Sequence, residues 1–288
     1  MKNFIIFTDA TIDFTEELVK ETGISVVPMD YFMDEKQFTY NGTNFDCKGF
    51  YNAVSSGAAV RTTQINPSTF EDAFRPVLKG GNDILYISLS SALSGSYNSS
   101  LIAISELKEA FPERKIIAVD SLGGTVGEGM LAFLASRFKK EGKTLEETAD
   151  WLLKNRYHIC IFLTVDDLYH LKRGGRISST TALLGSALNI KPILNVTNEG
   201  KLVPFSKARG KKGAESKLIE LISELIIPDA CDLIFISHAD NSEAAESLEA
   251  KLKEKFPKHR IIITEIGPVI GSHTGQKAMC LIFFGSKR

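Results

Sequence analysis

The chain has 288 residues, longer than the roughly 100–200 of an average domain and comfortable for two. At 43% hydrophobic and 24% charged it has the composition of an ordinary soluble globular protein, which excludes a disordered or fibrous chain. Its 34 basic and 35 acidic side chains leave a formal charge of −1 and no surplus of positive field for a polyphosphate backbone, so nucleic acid is not an expected partner.

From the start, Phe4-Ile5-Ile6-Phe7-Thr8-Asp9 reads as a buried parallel strand, and the apolar stretch inside it is too short for a signal-peptide core. Asp13, with Glu16 three residues on, makes a capping-box pattern, and Phe14, Leu18 and Val19 give the following helix an apolar face until Gly23 stops it. A strand over Ile24 to Pro28 follows. Tyr31 to Val60 has no clean periodicity and reads as a lid. A second unit begins with the strand Ile84 to Ser88, passes through Ser90 to Ser96, and enters a helix in which Tyr97, Leu101, Ile104 and Phe111 recur at helical spacing. A third has Lys115 to Asp120 as its strand, a glycine-rich turn over Gly123 to Gly127, and a helix from about Met130 to Lys140, with Thr144 and Glu147 capping the next.

After a strand around Tyr157 to Phe162 the pattern loosens into the basic stretch Leu171 to Arg176. Strands are then expected at Pro192–Val196, Leu233–Ser237, Ile261–Glu265 and Ala278–Phe284, with a helix from Ser242 to Phe256. The expected fold class is α/β in two domains. Residues 1–160 form a three-layer α/β/α domain with a mostly parallel sheet, and residues 161–288 an α/β domain with a mixed sheet. No apolar run approaches the ~20 residues of a membrane span. Cys47, Cys160, Cys231 and Cys280 lie far apart with no metal-ligand spacing, which implies free thiols, no metal site, no stable membrane insertion and a cytoplasmic location.

Thr8-Asp9, Ser88, Ser90-Ser91 and Asp120-Ser121 all fall at the C-terminal ends of expected parallel strands, where open α/β sheets bind ligands. Asp9 and Asp120 could pair as acids or hold a metal; the simpler reading is that each caps its adjacent turn. Ser94-Gly95, opening a helix, suits either an anion or plain N-capping. Gly123-Gly124 suggests a phosphate loop, yet the chain has neither a G-x-x-x-x-G-K-[ST] nor a G-x-G-x-x-G sequence after a strand. Serine catalysis lacks a G-x-S-x-G elbow, and His170, His238 and His273 have no acid partner evident in sequence. His273 sits in a glycine-flanked loop, exposed to a cleft or simply packed. Lys172, Arg173, Arg176, Lys207, Arg209, Lys211 and Lys212 make a basic excess that either is a solvated face or docks an acidic partner.

Five motifs appear in order: Phe7-Thr8-Asp9, Thr62 to Ser68, Leu93 to Tyr97, Leu171 to Ile177, and Gly267 to Gly275. In this the chain resembles the DegV family, whose members include the fatty-acid-binding subunits of bacterial fatty acid kinase, and the likeness spans nearly its whole length. One departure is Ala10, where the family's first motif usually continues with serine. The resemblance implies a long-chain fatty acid whose carboxylate is held by Thr62, Ser94, the Gly95 backbone N–H and His273, with the acyl chain in an apolar tunnel between the domains. The first domain would supply the carboxylate site and the second part of the tunnel. It implies a carrier rather than an enzyme: no catalytic residues, no cofactor, and a separate ATP-dependent kinase subunit that phosphorylates the bound acid, with Arg176 on the docking surface. The alternatives are a hydrolase or small-molecule kinase acting in the same cleft, and a regulatory or transport module in which lipid is only a structural plug.

Overall fold

The computed structural model describes residues 3–166, 168–177 and 189–288. Strand β1 (Phe4–Asp9) runs into a single 3-10 turn and then helix α1 (Glu16–Thr22). The cap of α1 is Thr15, whose hydroxyl accepts from the Leu18 N–H at 3.3 Å, and not the expected Asp13. Asp13 is held in the left-handed region at φ 51° with its carboxyl turned inward to the Gly267 N–H, so it is unavailable to the helix. Gly23, at φ 64°, ends α1 as expected.

Next come β2 (Ser25–Val27), β3 (Met29–Met33), β4 (Lys36–Tyr40), α2 (Cys47–Ser55) and β5 (Val60–Thr62). The stretch expected to be irregular is thus built: β4, β3 and β5 pair antiparallel, and Phe50 and Tyr51 of α2 are buried. Short strands of five residues or fewer leave too few alternations to register as a period.

The chain continues through α3 (Pro67–Lys79), β6 (Asp83–Ser88), α4 (Ser96–Ala110), β7 (Ile116–Asp120), α5 (Val126–Lys140) and α6 (Leu145–Asn155). The expected apolar stripe of α4 holds in part: Ile104 is buried, but Leu101 is 42% exposed, and Leu107 and the small side chains Ser96, Ser99, Ser100 and Ala103 complete the buried face, the small ones letting α4 lie close on α3 and β7. Helix α5 begins at Val126, four residues before the expected Met130, because Gly127 and Gly129 lie inside it. A side chain on the first would strike Ile161 and on the second the ring of Phe14. The Thr144–Glu147 capping box on α6 is present with both of its bonds.

The remainder is β8 (Ile159–Thr164), α7 (Tyr169–Arg173), β9 (Ile190–Val196), β10 (Leu202–Arg209), α8 (Gly210–Leu225), β11 (Leu233–His238), α9 (Ser242–Lys255), β12 (Arg260–Glu265), α10 (Pro268–Thr274) and β13 (Met279–Phe284). Strands β2-β1-β6-β7 form a parallel sheet, and β10-β9-β8-β13-β11-β12 a mixed one in which only β11 and β12 are parallel neighbours. The fold is therefore the expected two-part α/β arrangement, with a small third sheet added.

Helices α3 and α4 cover one face of the parallel sheet, and α5 and α6 the other. On its far side α5 meets β8 and β11, while α8 and α9 cover the outer face of the mixed sheet. Every residue of α5 from Val126 to Ser136 is buried, the signature of a helix enclosed on all sides. One apolar core accordingly runs from sheet to sheet, with Phe235 of β11 against both Phe14 and Phe133.

Candidate functional site

The parallel register aligns Ser88 with Asp120 and brings Asp9 to the same C-terminal edge. The aspartates there are turn-builders. Asp120 accepts from the Ser91 and Leu122 N–H groups at 3.2 and 3.0 Å, and Asp9 accepts from the Thr11 and Leu89 N–H groups at 3.0 and 2.9 Å. Beneath them lies Glu128, a fully buried acid that sequence reasoning passed over between the glycine turn ending at Gly127 and the helix expected from Met130. It meets the Thr8 hydroxyl, the Asp9 N–H and the Thr11 hydroxyl. Thr11 has one hydrogen but lies 2.6 Å from Asp9 Oδ1 and 2.8 Å from Glu128 Oε2, so one acid must carry a proton. Burial raises both carboxyls, but Asp9 is held ionised by two backbone N–H groups while its charge pushes Glu128 up further, so the proton is assigned to Glu128, donating to Thr11.

Above this edge, between the two large sheets, is a cavity of about 760 Å³ counted out to its mouth. Its walls are mostly apolar: Met29, Leu89, Leu93, Ile161, Leu163, Leu171, Val196, Leu202, Val269, Ile270 and Cys280. Gly124 also lines it, and a side chain there would meet Leu89 at 3.0 Å, so the glycine keeps space open. The glycine-rich segment thus serves close packing and cavity volume.

Its polar lining residues include Thr62, Ser94, Arg176 and His273. Thr62 Oγ1 is 2.9 Å from His273 Nε2, and the imidazole packs over Gly174, where no side chain would fit. The Gly174 carbonyl accepts from Arg176 Nη1 at 2.6 Å, and Arg176 Nε donates to the Leu93 carbonyl at 3.0 Å, next to Ser94. Ser94 Oγ lies 3.0 Å from Ser96 Oγ. His273 is on α10, not in a loop, and its helix is pinned at its base by the Asp13–Gly267 bond and by Tyr51, whose hydroxyl donates to the Ile266 carbonyl at 2.6 Å.

Burial, then the positive charges of Arg176 and Arg173, push His273 down to about 4, so it is neutral at pH 7. Its buried Nδ1 has no hydrogen-bond partner among the described residues. Because an unmet donor costs more than an unmet acceptor, the proton belongs on Nε2, donated to Thr62. The Thr62 hydroxyl then has its own hydrogen free for an acceptor in the cavity. Burial also lowers Arg176.

Thr62, Ser94 and His273, singled out from sequence, therefore share one cavity, with Thr62 and Ser94 from the first half of the chain and His273 from the second. Gly95 does not line it; its α-carbon faces the Gln64 amide, although no described residue accepts from its N–H. Arg176 is half-buried in the cavity wall instead of standing free on the outside. Ala10 is fully buried and does not line the cavity, so the hydroxyl it lacks is not among these polar groups. All four cysteines are free, and no helix among the described residues is long and apolar enough to cross a membrane.

The profile of the DegV family, described as uncharacterised, matches residues 3–286. A DegV domain-containing protein of Clostridium perfringens is 41% identical over 289 residues, 100% of this chain and 99% of the relative. Among solved structures, a fatty-acid-binding DegV family protein from Thermus thermophilus is 28% identical with a TM-score of 0.87, covering 99% of this chain and 100% of the other. DegV, a fatty acid binding protein from Bacillus subtilis, is 28% identical with a TM-score of 0.86 over 98% of this chain and 99% of that one.

Proposed function

The chain belongs to the DegV family, and on that premise we propose that it is a cytoplasmic carrier that encloses a long-chain fatty acid and presents its carboxylate to a separate ATP-dependent kinase subunit. The observation that carries this reading is a deep apolar cavity between the sheets that meets hydroxyls and an imidazole at one rim. Two solved relatives at 28% identity are described as binding fatty acids.

In this reading Thr62 and Ser94 donate their hydroxyl hydrogens to the carboxylate, the Gly95 N–H adds a third donor, and neutral His273 orients Thr62. A carboxylate leaving water needs several such donors to offset its desolvation. Burial of the tail dominates affinity: at about 0.8 kcal/mol per CH₂, fourteen methylenes contribute about 10 kcal/mol before ordering costs. The chain is the non-catalytic member of the pair and uses no cofactor; the lipid is its ligand. Residues 1–160 provide Thr62 and Ser94, and 161–288 complete the tunnel with His273 and the walls from the mixed sheet. Arg176, at the rim, is the residue proposed to engage the kinase.

The test is mass spectrometry of lipid extracted from the purified protein. Stoichiometric fatty acid in the wild type, reduced in Thr62→Ala plus Ser94→Ala, supports the carrier. A well-folded wild type that never binds fatty acid overturns it in favour of an enzyme in the same cleft, a hydrolase or small-molecule kinase. For docking, Arg176→Ala should keep its lipid and lose kinase-dependent turnover; unchanged turnover rules that role out.

A further inference from the structure

The mixed sheet marks the end of the cavity farthest from Arg176 and His273. Strand β8 ends at Thr164 and its antiparallel partner β13 begins at Met279, the side on which Arg176, just after α7, and His273 of α10 stand. Followed inward along β8, the lining residues are Leu163 and then Ile161. Asn195 of β9 pairs with Phe162, and Val196 pairs with Leu202 of β10, so Ile161, Val196 and Leu202 lie side by side at the inner end. Beyond them three pieces of backbone converge: the start of β8 at Ile159, Ser121 and Leu122 after β7, and the turn 197–200 between β9 and β10. The turn folds back onto the parallel-sheet half, where Ser90 Oγ donates to the Gly200 carbonyl at 2.9 Å. A side chain on Gly200 would strike Ser90 Oγ and press on Leu122.

Arg288 fastens these pieces together. Its Nε donates to the Ile159 carbonyl at 2.9 Å, Nη1 to those of Leu122 and Thr197 at 2.6 and 3.2 Å, and Nη2 to those of Arg156 and Ser121 at 2.6 and 3.4 Å. All five N–H donors of the guanidinium are thus spent on backbone carbonyls. Three of those carbonyls sit one or two positions from a lining residue: Thr197 from Val196, Leu122 from Gly124 and Ile159 from Ile161. The piece gripped after β7 is strained, because Leu122 and Thr125 have φ of 53° and 49°, and Thr125 itself lines the cavity. Leu122 is held from both sides, its N–H by the Asp120 carboxylate at 3.0 Å and its carbonyl by Arg288. Released from that grip, the segment has an easier backbone conformation to relax into, and the wall it forms moves with it.

We propose that Arg288 is the positioning residue that sets the length of the cavity: by tying Ile159, Leu122 and Thr197 into one wall, it closes the inner end and fixes the longest acyl chain that fits. The proposal rests on the fatty-acid reading of the cavity. Arg288 does not line the cavity and acts through the wall it holds.

The experiment is competition binding of hexadecanoate and eicosanoate to the delipidated full chain, in wild type, Arg288→Lys and Arg288→Ala, with the thermal midpoint of each. Arg288→Ala should raise the ratio of eicosanoate to hexadecanoate affinity at least tenfold, the gain from burying about two further methylenes. Arg288→Lys keeps the charge but has three donors on one nitrogen, so it grips fewer carbonyls and should raise the ratio less. Should the alanine variant fail to fold, the lysine variant decides. A residue that only stabilised the fold would lower the midpoint and weaken both acids alike; an unchanged ratio in the folded variants therefore overturns the proposal. Wild type that binds neither acid overturns the carrier reading, and this proposal with it.

Discussion

Two polar regions lie within the molecule's interior, and they differ in completeness. Around Glu128 every acidic oxygen has a partner from Thr8, Thr11 or the Asp9 N–H, and the group is wholly enclosed. Around Thr62 and His273 the network stops short: Nδ1 of the imidazole is unmet and the threonine has a hydrogen to spare facing a cavity. A closed network spends its bonding capacity on the fold, while an open one holds it ready for a ligand.

Mutation should separate the two. The largest effect is expected from Glu128→Ala, which leaves three buried polar groups without their partner, the Thr8 hydroxyl, the Asp9 N–H and the Thr11 oxygen, and opens a cavity; it should cost about 3 kcal/mol or more in urea denaturation. Glu128→Gln, which can still donate to Thr11, should cost far less, and a loss equal to that of alanine would mean that Glu128 is not the proton carrier. Thr62→Ala plus Ser94→Ala should lower stability less than Glu128→Ala, through the His273 and Ser96 N–H groups it leaves unmet, and weaken fatty-acid binding at least about 100-fold, since each hydrogen bond to a charged group contributes about 1.5–3 kcal/mol.

Next in size is a pH effect. His273 titrates at about 4 in the fold against 6.5 ordinarily, so the unfolded chain binds the extra proton between those values. Its contribution is present above pH 6.5 and is lost as pH falls towards 4, by up to about 1.4 kcal/mol per unit. His273→Gln should flatten that slope in the difference between the two denaturation profiles. The smallest effect is expected from Gly124→Ala, whose methyl group would enter the cavity beside Leu89. It should shift the chain-length preference downward at a cost near one methylene, about 0.8 kcal/mol, read by competition between fatty acids.

Much of this was legible in sequence where local pattern and tertiary context agree. The β-branched runs at β1, β6 and β11 gave the strands, and Thr144 with Glu147 gave a true cap. Where context overrides pattern, the reading failed. Gly127 and Gly129 look like turn residues but are in a helix because Ile161 and Phe14 occupy the space that side chains would need. Asp13 looks like a cap yet is drawn inward by Gly267, 254 positions away in sequence. At the site, Ser94 was within reach as a hydroxyl at a helix start and His273 as a glycine-flanked histidine, whereas Thr62 was reached only through the family resemblance. The inward course of Arg176 and the role of Glu128 were not, because each depends on partners remote in sequence: Leu93 for one, Thr8 and Thr11 for the other.

The enclosure of α5 by both sheets bears on how fast any lipid can come and go. Swinging the sheets apart would bare eleven consecutive buried residues, Val126 to Ser136, to water. That route is too costly to serve as an everyday door. On the carrier reading, exchange is expected at the rim where α7 meets α10, elements of only five and seven residues. Residence time is then a property of that rim's local opening, so a crosslink clamping the two large sheets together should leave the lipid off-rate unchanged, while one joining α7 to α10 should slow it.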